Sequence, residues 1–178
     1  MATESNINKF LSNNWSIVVG LLAGILLTSC GIYSFTGASI PIEAKTVSVS
    51  YFTSTATNSP SSLNQTITEG LKDLFLSQTS LALTETEGDL IFSGEITKYH
   101  IMPMAIQANE TASQNRLTII IKVMYQNSYD SKQNFESNFS RYRDFNSSEN
   151  LADIETSLIE QITAEIIEDV FNKAFVNW

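Results

Sequence analysis

The stretch from Arg116 to Gln126 limits the fold more than any other part of this chain. Leu117, Ile119, Ile121, Val123 and Tyr125 recur at every second position, and Thr118, Lys122 and Gln126 fall between them. That alternation predicts a strand with one apolar and one polar face. A sheet of such strands needs a cover on one side and can stay wet on the other. The chain offers two covers. In the first, Leu63, Ile67, Leu71, Leu74 and Phe75 recur at spacings of three and four, the stripe of an amphipathic helix. Ser62 with Gln65 three residues on predicts a capping box at its start. In the second, Leu151, Ile154, Leu158, Ile162, Ile166, Val170 and Ala174 form a longer stripe, with Ile159, Ile167 and Phe171 beside it. Asn150 is placed to cap that helix, and Asp153 lies near its N-terminal dipole.

The other segments supply strands. Lys45 to Phe52 alternates, with Val47, Val49 and Tyr51 expected inward and Ser48 and Ser50 outward. Ser80 to Thr84 reads as a short strand. Glu87-Gly88-Asp89 reads as a turn, with Gly88 expected at positive φ. In Leu90 to Ile101, Leu90, Phe92 and Ile96 are expected inward, and Ser93, Glu95, Thr97 and Tyr99 outward. Asn127 to Lys132 turns the chain into a strand from Asn134 to Phe145, with Phe135 and Phe139 inward. The order is β-α-β-β-β-β-α. The fold class expected is α+β: a two-layer sandwich, two helices on one face of a mixed, mostly antiparallel sheet of four to five strands. Its uncovered face would carry Ser48, Ser50, Ser93, Thr97, Tyr99, Thr118, Lys122, Asn138, Ser140 and Tyr142. Two readings of that face stand: an ordinary solvated face, or a wet face that docks against something.

The N-terminal part points to export. Ile17 to Leu27 is apolar throughout, too short to span a bilayer and the length of a signal-peptide core. It is followed by Leu27-Thr28-Ser29-Cys30, and Cys30 is the sole cysteine. A branched apolar residue, two small residues and then Cys resemble the lipobox of bacterial lipoproteins, where the thiol is acylated and the peptide is cut before it. More than one acyl chain is needed for stable anchoring. The expected organisation is a lipoprotein signal peptide over 1–29, a lipid-anchored tether over 30–44 and one α/β domain over 45–178. With no second cysteine the domain can form no internal disulfide and must be held by its core.

Charge and motifs exclude several functions. The net charge is −9, and loss of Lys9 and Glu4 with the signal leaves it unchanged. An acidic domain is a poor ligand for nucleic-acid phosphates. The sequence holds no Walker loop, G-x-G-x-x-G, HExxH or G-x-S-x-G pattern, and His100 is the sole histidine. No enzyme, cofactor or metal centre is expected.

The joint order of several short motifs resembles the LptE family of lipopolysaccharide-assembly lipoproteins, in its Bacteroidota branch. They are Cys30-Gly-Ile-Tyr-Ser-Phe-Thr-Gly37, Leu71-Lys-Asp-Leu-Phe75 with Gln78-Thr79, Gly88-Asp-Leu-Ile-Phe92 with Gly94 and Ile96-Thr97, Ala105-Ile-Gln-Ala-Asn109, Asn115-Arg-Leu-Thr118, and Phe171-Asn-Lys-Ala174 with Asn177-Trp178. The resemblance implies two helices on a sheet of about four strands. It implies no catalysis, anchoring through Cys30 in the outer membrane, and a role as plug and folding partner of the LptD barrel in lipopolysaccharide transport. The absence of acids directly after Cys30, the first being Glu43, places the expected protein in the inner leaflet, facing the periplasm. The alternative is a lipid-anchored periplasmic binding module for another envelope protein or polymer.

Candidate contacts for lipopolysaccharide or a partner are Lys98, Arg116, Lys122, Arg141 and Arg143, all on neighbouring strands, and Met104 and Ile106. The last two lie in Met102 to Gln114, a link of about thirteen residues, a length at which loops are usually functional or mobile. Pro103 is expected to interrupt pairing there. The tip either inserts into the barrel partner or in part extends the two strands.

Overall fold

A computed structural model describes residues 40–104 and 113–176. Cys30, Ile106 and the C-terminal Asn177-Trp178 lie outside the described residues. The elements are β1 (Thr46–Val49), β2 (Thr53–Ser54), α1 (Ser61–Gln78), β3 (Ala82–Thr84), β4 (Leu90–Met104), β5 (Gln114–Asn127), β6 (Phe135–Asn146) and α2 (Leu151–Phe175), with a 3-10 turn at Ser131–Gln133. The strands form one sheet in the order β3-β1-β4-β5-β6, with β2 also on β4. β1 runs parallel to β3 and β4, and β2 runs parallel to β4. The long β4-β5-β6 meander is antiparallel. This is the expected α+β sandwich with one more strand than the upper expectation, because the first predicted strand is split in two.

Both apolar stripes face the core as read, with Leu74, Leu151, Ile154 and Ala174 only partly buried at its margin. Leu63, Ile67, Leu71 and Phe75 of α1 meet Ile162, Ile166 and Val170 of α2 over Leu117, Ile119, Ile121 and Val123 of β5, and all eleven are fully buried. At one end, Phe75, Phe92, Tyr125, Phe171 and Phe175 form an aromatic cluster with ring centroids 4.7–6.1 Å apart. Such pairs add to the area they bury. The cluster ties the C-terminal turns of both helices to the sheet.

Several local expectations are corrected. Ser62 does not cap α1: the helix begins at Ser61, its cap position is Pro60, and no side-chain hydrogen bond caps its start. Pro60 fixes φ near the value the chain needs there. Asn150 does cap α2, accepting from the Ala152 N–H. In the first strand the alternation slips after Val49. Phe52 turns inward and is fully buried, while Tyr51 is 59% exposed. Ser48, expected in solvent, is buried, because the turn before β4 passes over it and the Gly88 N–H donates to its hydroxyl at 3.4 Å. The residue at positive φ in that turn is Glu87, not Gly88. Gly88 is required for closeness instead: a Cβ there would stand 2.6 Å from the Ser48 nitrogen.

Two corrections reshape β4. Its register against β5 shifts between Ile96 and Lys98. This bulge returns Tyr99 to the helix side, where its hydroxyl donates to Glu155 of α2 at 2.5 Å. Burial first, and then that hydrogen bond, raise the Tyr99 pKa. Pro103 does not interrupt the ladder. It pairs in register with Asn115, and Met104 pairs with Gln114. β1 and β2 pair with β4 only as far as Ile96, so beyond that point β4 has an open edge toward which a missing N–H is tolerated. The strands therefore take up the ends of the predicted link.

Candidate partner-facing sheet surface

Both helices lie on one side, so β4, β5 and β6 present a second, uncovered face. Registers fix its rows. One row sets Lys98 beside Ile120 and Ser140; the next sets His100 beside Thr118 and Tyr142; the third sets Met102 beside Arg116 and Asp144. In the other direction, Glu95 lies beside Lys122 and Asn138, and Ser93 beside Met124 and Glu136. The bulge at Thr97 makes this continuity possible, because it brings Lys98, His100 and Met102 to the same side as Ser93 and Glu95.

Charges on the face are paired across strands. The Arg116 guanidinium binds Asp144 through two hydrogen bonds, at 2.7 and 2.8 Å, and lies 3.7 Å from the centre of the Tyr142 ring. The hydrogen bond from Arg116 holds the Asp144 carboxyl below the usual carboxylate range. Lys122 sits 2.8 Å from Glu136 and 4.0 Å from Glu95. Its ammonium is raised, chiefly by the Glu136 hydrogen bond. Lys98 is exposed and has no carboxylate within 4.0 Å among the described residues. Tyr51, Met124 and Lys122 border a shallow hollow of about 270 Å³ over Gly94. Tyr51, Met102, Met124 and Tyr142 expose 39–59% of their surface, apolar and aromatic groups between the ion pairs.

The five candidate cations separate into two groups. Lys98, Arg116 and Lys122 share the uncovered face. Arg141 and Arg143 sit at odd positions of β6, with inward Phe139 and Phe145, and reach around the edge to α2. Arg141 binds Asp169 through two hydrogen bonds of 2.7 Å. Arg143 bonds Glu165 and, at 3.3 Å, Gln161. The Arg143 hydrogen bond depresses the Glu165 carboxyl. These two arginines fasten the edge strand to the helix layer. Met104, half-buried, is the last residue of β4 on the uncovered side. Sequence reasoning missed Met102 and Tyr51 as members of the face. The bulge and the slip after Val49 place them there, and no period in the sequence marks either irregularity. Among the described residues no group of acidic, histidine or cysteine side chains could hold a metal ion, and no helix is long and apolar enough to cross a membrane.

No curated protein matches the sequence. Several solved structures have a similar fold. A homolog of a neuraminyllactose-binding hemagglutinin from Helicobacter pylori is 8% identical, with a TM-score of 0.53 over 79% of this chain and 88% of that one. A minor lipoprotein from Acinetobacter baumannii is 10% identical, with a TM-score of 0.48 over 73% of this chain and 91% of that one. Lipoprotein B from Nitrosomonas europaea is 12% identical, with a TM-score of 0.44 over 75% and 82%. At these identities the likeness concerns the fold alone. The family model for lipopolysaccharide assembly, LptE, matches residues 44–174, from just before β1 to the last turn of α2. The chain belongs to the LptE lipopolysaccharide-assembly family.

Proposed function

We propose that this chain is a lipid-anchored outer-membrane lipoprotein that seats its uncovered β4-β5-β6 face inside the LptD barrel and supports lipopolysaccharide transport without catalysis. The observation that carries the proposal is the family match across residues 44–174. The surface suits the role. A plug in a water-filled lumen needs a wet face that does not repel the wall, and here cations and carboxylates neutralise each other in cross-strand pairs. Exposed Met102, Met124, Tyr51 and Tyr142 give that face apolar anchors of the kind enriched at interfaces. The signal peptide over 1–29, acylation at Cys30, the tether over 30–44 and the inner-leaflet position belong to the same proposal.

The test is purification of the tagged full-length protein from cell envelopes in mild detergent, with identification of what accompanies it. LptD is expected with the wild type. Placing Arg at both Met124 and Ser140 should cut its yield while leaving the circular dichroism unchanged. A wild-type preparation free of any barrel protein would end the proposal. Cys30→Ala should abolish incorporation of a tagged fatty acid and leave a longer precursor; equal labelling of both proteins would rule out the anchor. Protease added to intact cells should spare the protein, and digestion would place it on the wrong side of the membrane.

A further inference from the structure

The helix layer has an outer side of its own, turned away from the sheet. Between α1 and α2 runs a groove with a space of about 470 Å³. Its floor is apolar: Gly70 and Leu74 from α1, Ala164 and Ile167 from α2. At Gly70 the two helices approach closely, with the Ile167 side chain seated over the glycine: a Cβ there would stand 2.5 Å from Ile167 Cδ1. The rim is acidic. Glu160 and Glu168 flank Ala164 at spacings of four on α2, about 12 Å apart along the helix, and Asp73 faces them from α1.

These three carboxylates differ from the other acids of the helix layer. Glu155, Glu165 and Asp169 are engaged by Tyr99, Arg141 and Arg143 of the sheet. Glu69 is paired with Lys72. Asp73, Glu160 and Glu168 have neither a cation within 4.0 Å nor a side-chain hydrogen bond among the described residues. Among the described residues no cation lines the groove. An apolar slot rimmed by like charges leaves both its apolar surface and its charge without a complement among the described residues. Both are supplied when an occupant brings apolar side chains and positive charge together.

We propose that this groove is a docking site for a short cationic amphipathic segment of a partner polypeptide, its apolar side chains on Gly70, Leu74, Ala164 and Ile167 and its Lys or Arg side chains on Asp73, Glu160 and Glu168. Charge complementarity selects that occupant. An anionic lipid surface or a nucleic acid is repelled by the rim. The chain's own tether holds no Lys or Arg from Cys30 to Ala44, so it cannot satisfy the rim. A second copy of this chain presents sheet-face cations already paired with carboxylates, apart from Lys98 among the described residues, so it offers the rim no run of cations. A helix laid in a groove is a familiar mode of peptide recognition. The groove lies on the opposite side of the helix layer from the sheet, so this site and the barrel-facing surface stand or fall separately.

The probe is a fluorescein-labelled peptide of two Leu-Lys-Lys-Leu-Leu-Lys-Leu repeats. Its polarisation is read on titration with the full-length protein in dodecyl maltoside, against empty micelles. Saturable binding is expected, weakening as salt rises, and the counterpart with Glu in place of Lys should not bind. The Asp73→Asn/Glu160→Gln/Glu168→Gln triple variant should bind at least tenfold more weakly. The Glu43→Gln/Glu85→Gln/Glu87→Gln variant, which removes the same charge elsewhere, should stay within twofold of the wild type. Ala164→Leu, which fills the floor and leaves every charge in place, should also bind at least tenfold more weakly, with circular dichroism showing an unchanged helix content. No saturable binding, equal weakening by the two charge variants, or full binding by Ala164→Leu would each overturn the proposal.

Discussion

Gly94→Ala tests how the slip after Val49 is accommodated. Gly94 lies in β4 opposite Val123. A Cβ there would be 2.5 Å from Phe52 Cε1 and would overlap the carbonyl oxygen of Lys122. Neither obstacle moves readily. The Lys122 carbonyl belongs to the β4-β5 ladder. Phe52 is fully buried, and its backbone is tied to α1 twice: its N–H donates to Thr68 Oγ1 at 3.0 Å, and its carbonyl accepts from Asn64 Nδ2 at 3.0 Å. Overpacking of this kind costs about 1–3 kcal/mol, and each strained or broken hydrogen bond adds about 1 kcal/mol. The expected loss is about 3 kcal/mol, a large share of the total for a domain of this size. Urea unfolding of the full-length protein in mild detergent, followed by far-ultraviolet circular dichroism, measures it. Phe52→Leu removes the ring edge, so Gly94→Ala with Phe52→Leu should cost less than the two single losses added, by at least about 0.5 kcal/mol. A Gly94→Ala protein within about 0.5 kcal/mol of the wild type, or strict additivity in the double variant, would refute the close approach of Phe52.

Two further outcomes are expected. Ile121→Ala and Ile162→Ala, both at fully buried positions, should each cost about 2–5 kcal/mol. Thr118→Ala on the uncovered face should cost little; a larger loss for Thr118→Ala than for Ile121→Ala in a thermal melt would invert the assignment of the two faces. Asp89 accepts from the Lys45 and Thr46 N–H groups and from the Thr46 and Tyr129 hydroxyls, and its pKa falls below the ordinary 3.8, with the Lys45 hydrogen bond the largest cause. A carboxyl depressed in the folded state contributes stability that is present above its ordinary pKa and is lost as pH falls through the depressed one. Asp89→Asn should therefore destabilise the protein near neutrality and flatten its stability profile below about pH 4; an unchanged acid profile would show that this cluster adds nothing.

The elements that could be read in the sequence are those whose period runs unbroken. β5 keeps a period of two from Leu117 to Tyr125, and α2 keeps its stripe from Leu158 to Phe171; both faces are assignable from the sequence alone. The failures lie where one residue is inserted or a period is cut short. At Thr97 the bulge moves Tyr99 from the polar to the helix side. At Ser50–Phe52 the strand breaks, exchanging the roles of Tyr51 and Phe52. Ser48 was misread because a turn forty residues later covers it, and nothing local encodes that. The uncovered face was legible as polar with scattered aromatics. Its pairing was not, since the partnership of Arg116 with Asp144, like that of Arg141 with Asp169 off this face, depends on which side of β6 Asp144 and Arg141 fall. Odd and even positions of β6 go to opposite layers. Arg141 and Arg143, equivalent in the sequence to the other candidate cations, are thereby assigned to holding the edge strand.

The sorting of charge between layers carries the last step. The chain as a whole is strongly acidic, yet the uncovered sheet face sets Lys98, Arg116 and Lys122 against Glu95, Glu136 and Asp144 and is close to neutral. The surplus of acid lies elsewhere, in part on the outward side of the helices at Asp73, Glu160 and Glu168. An acidic average therefore does not describe what a partner of the sheet meets. A phosphorylated glycolipid or an anionic barrel wall can approach β4-β5-β6 without the long-range repulsion that the net charge implies, and meets Lys98, an exposed cation with no ion pair among the described residues. The helix side repels the same partner. Over a Debye length of about 8 Å at physiological salt, the two layers present different potentials to their surroundings. On the proposed reading, that asymmetry turns the sheet toward an anionic partner and leaves the acidic groove directed away from it.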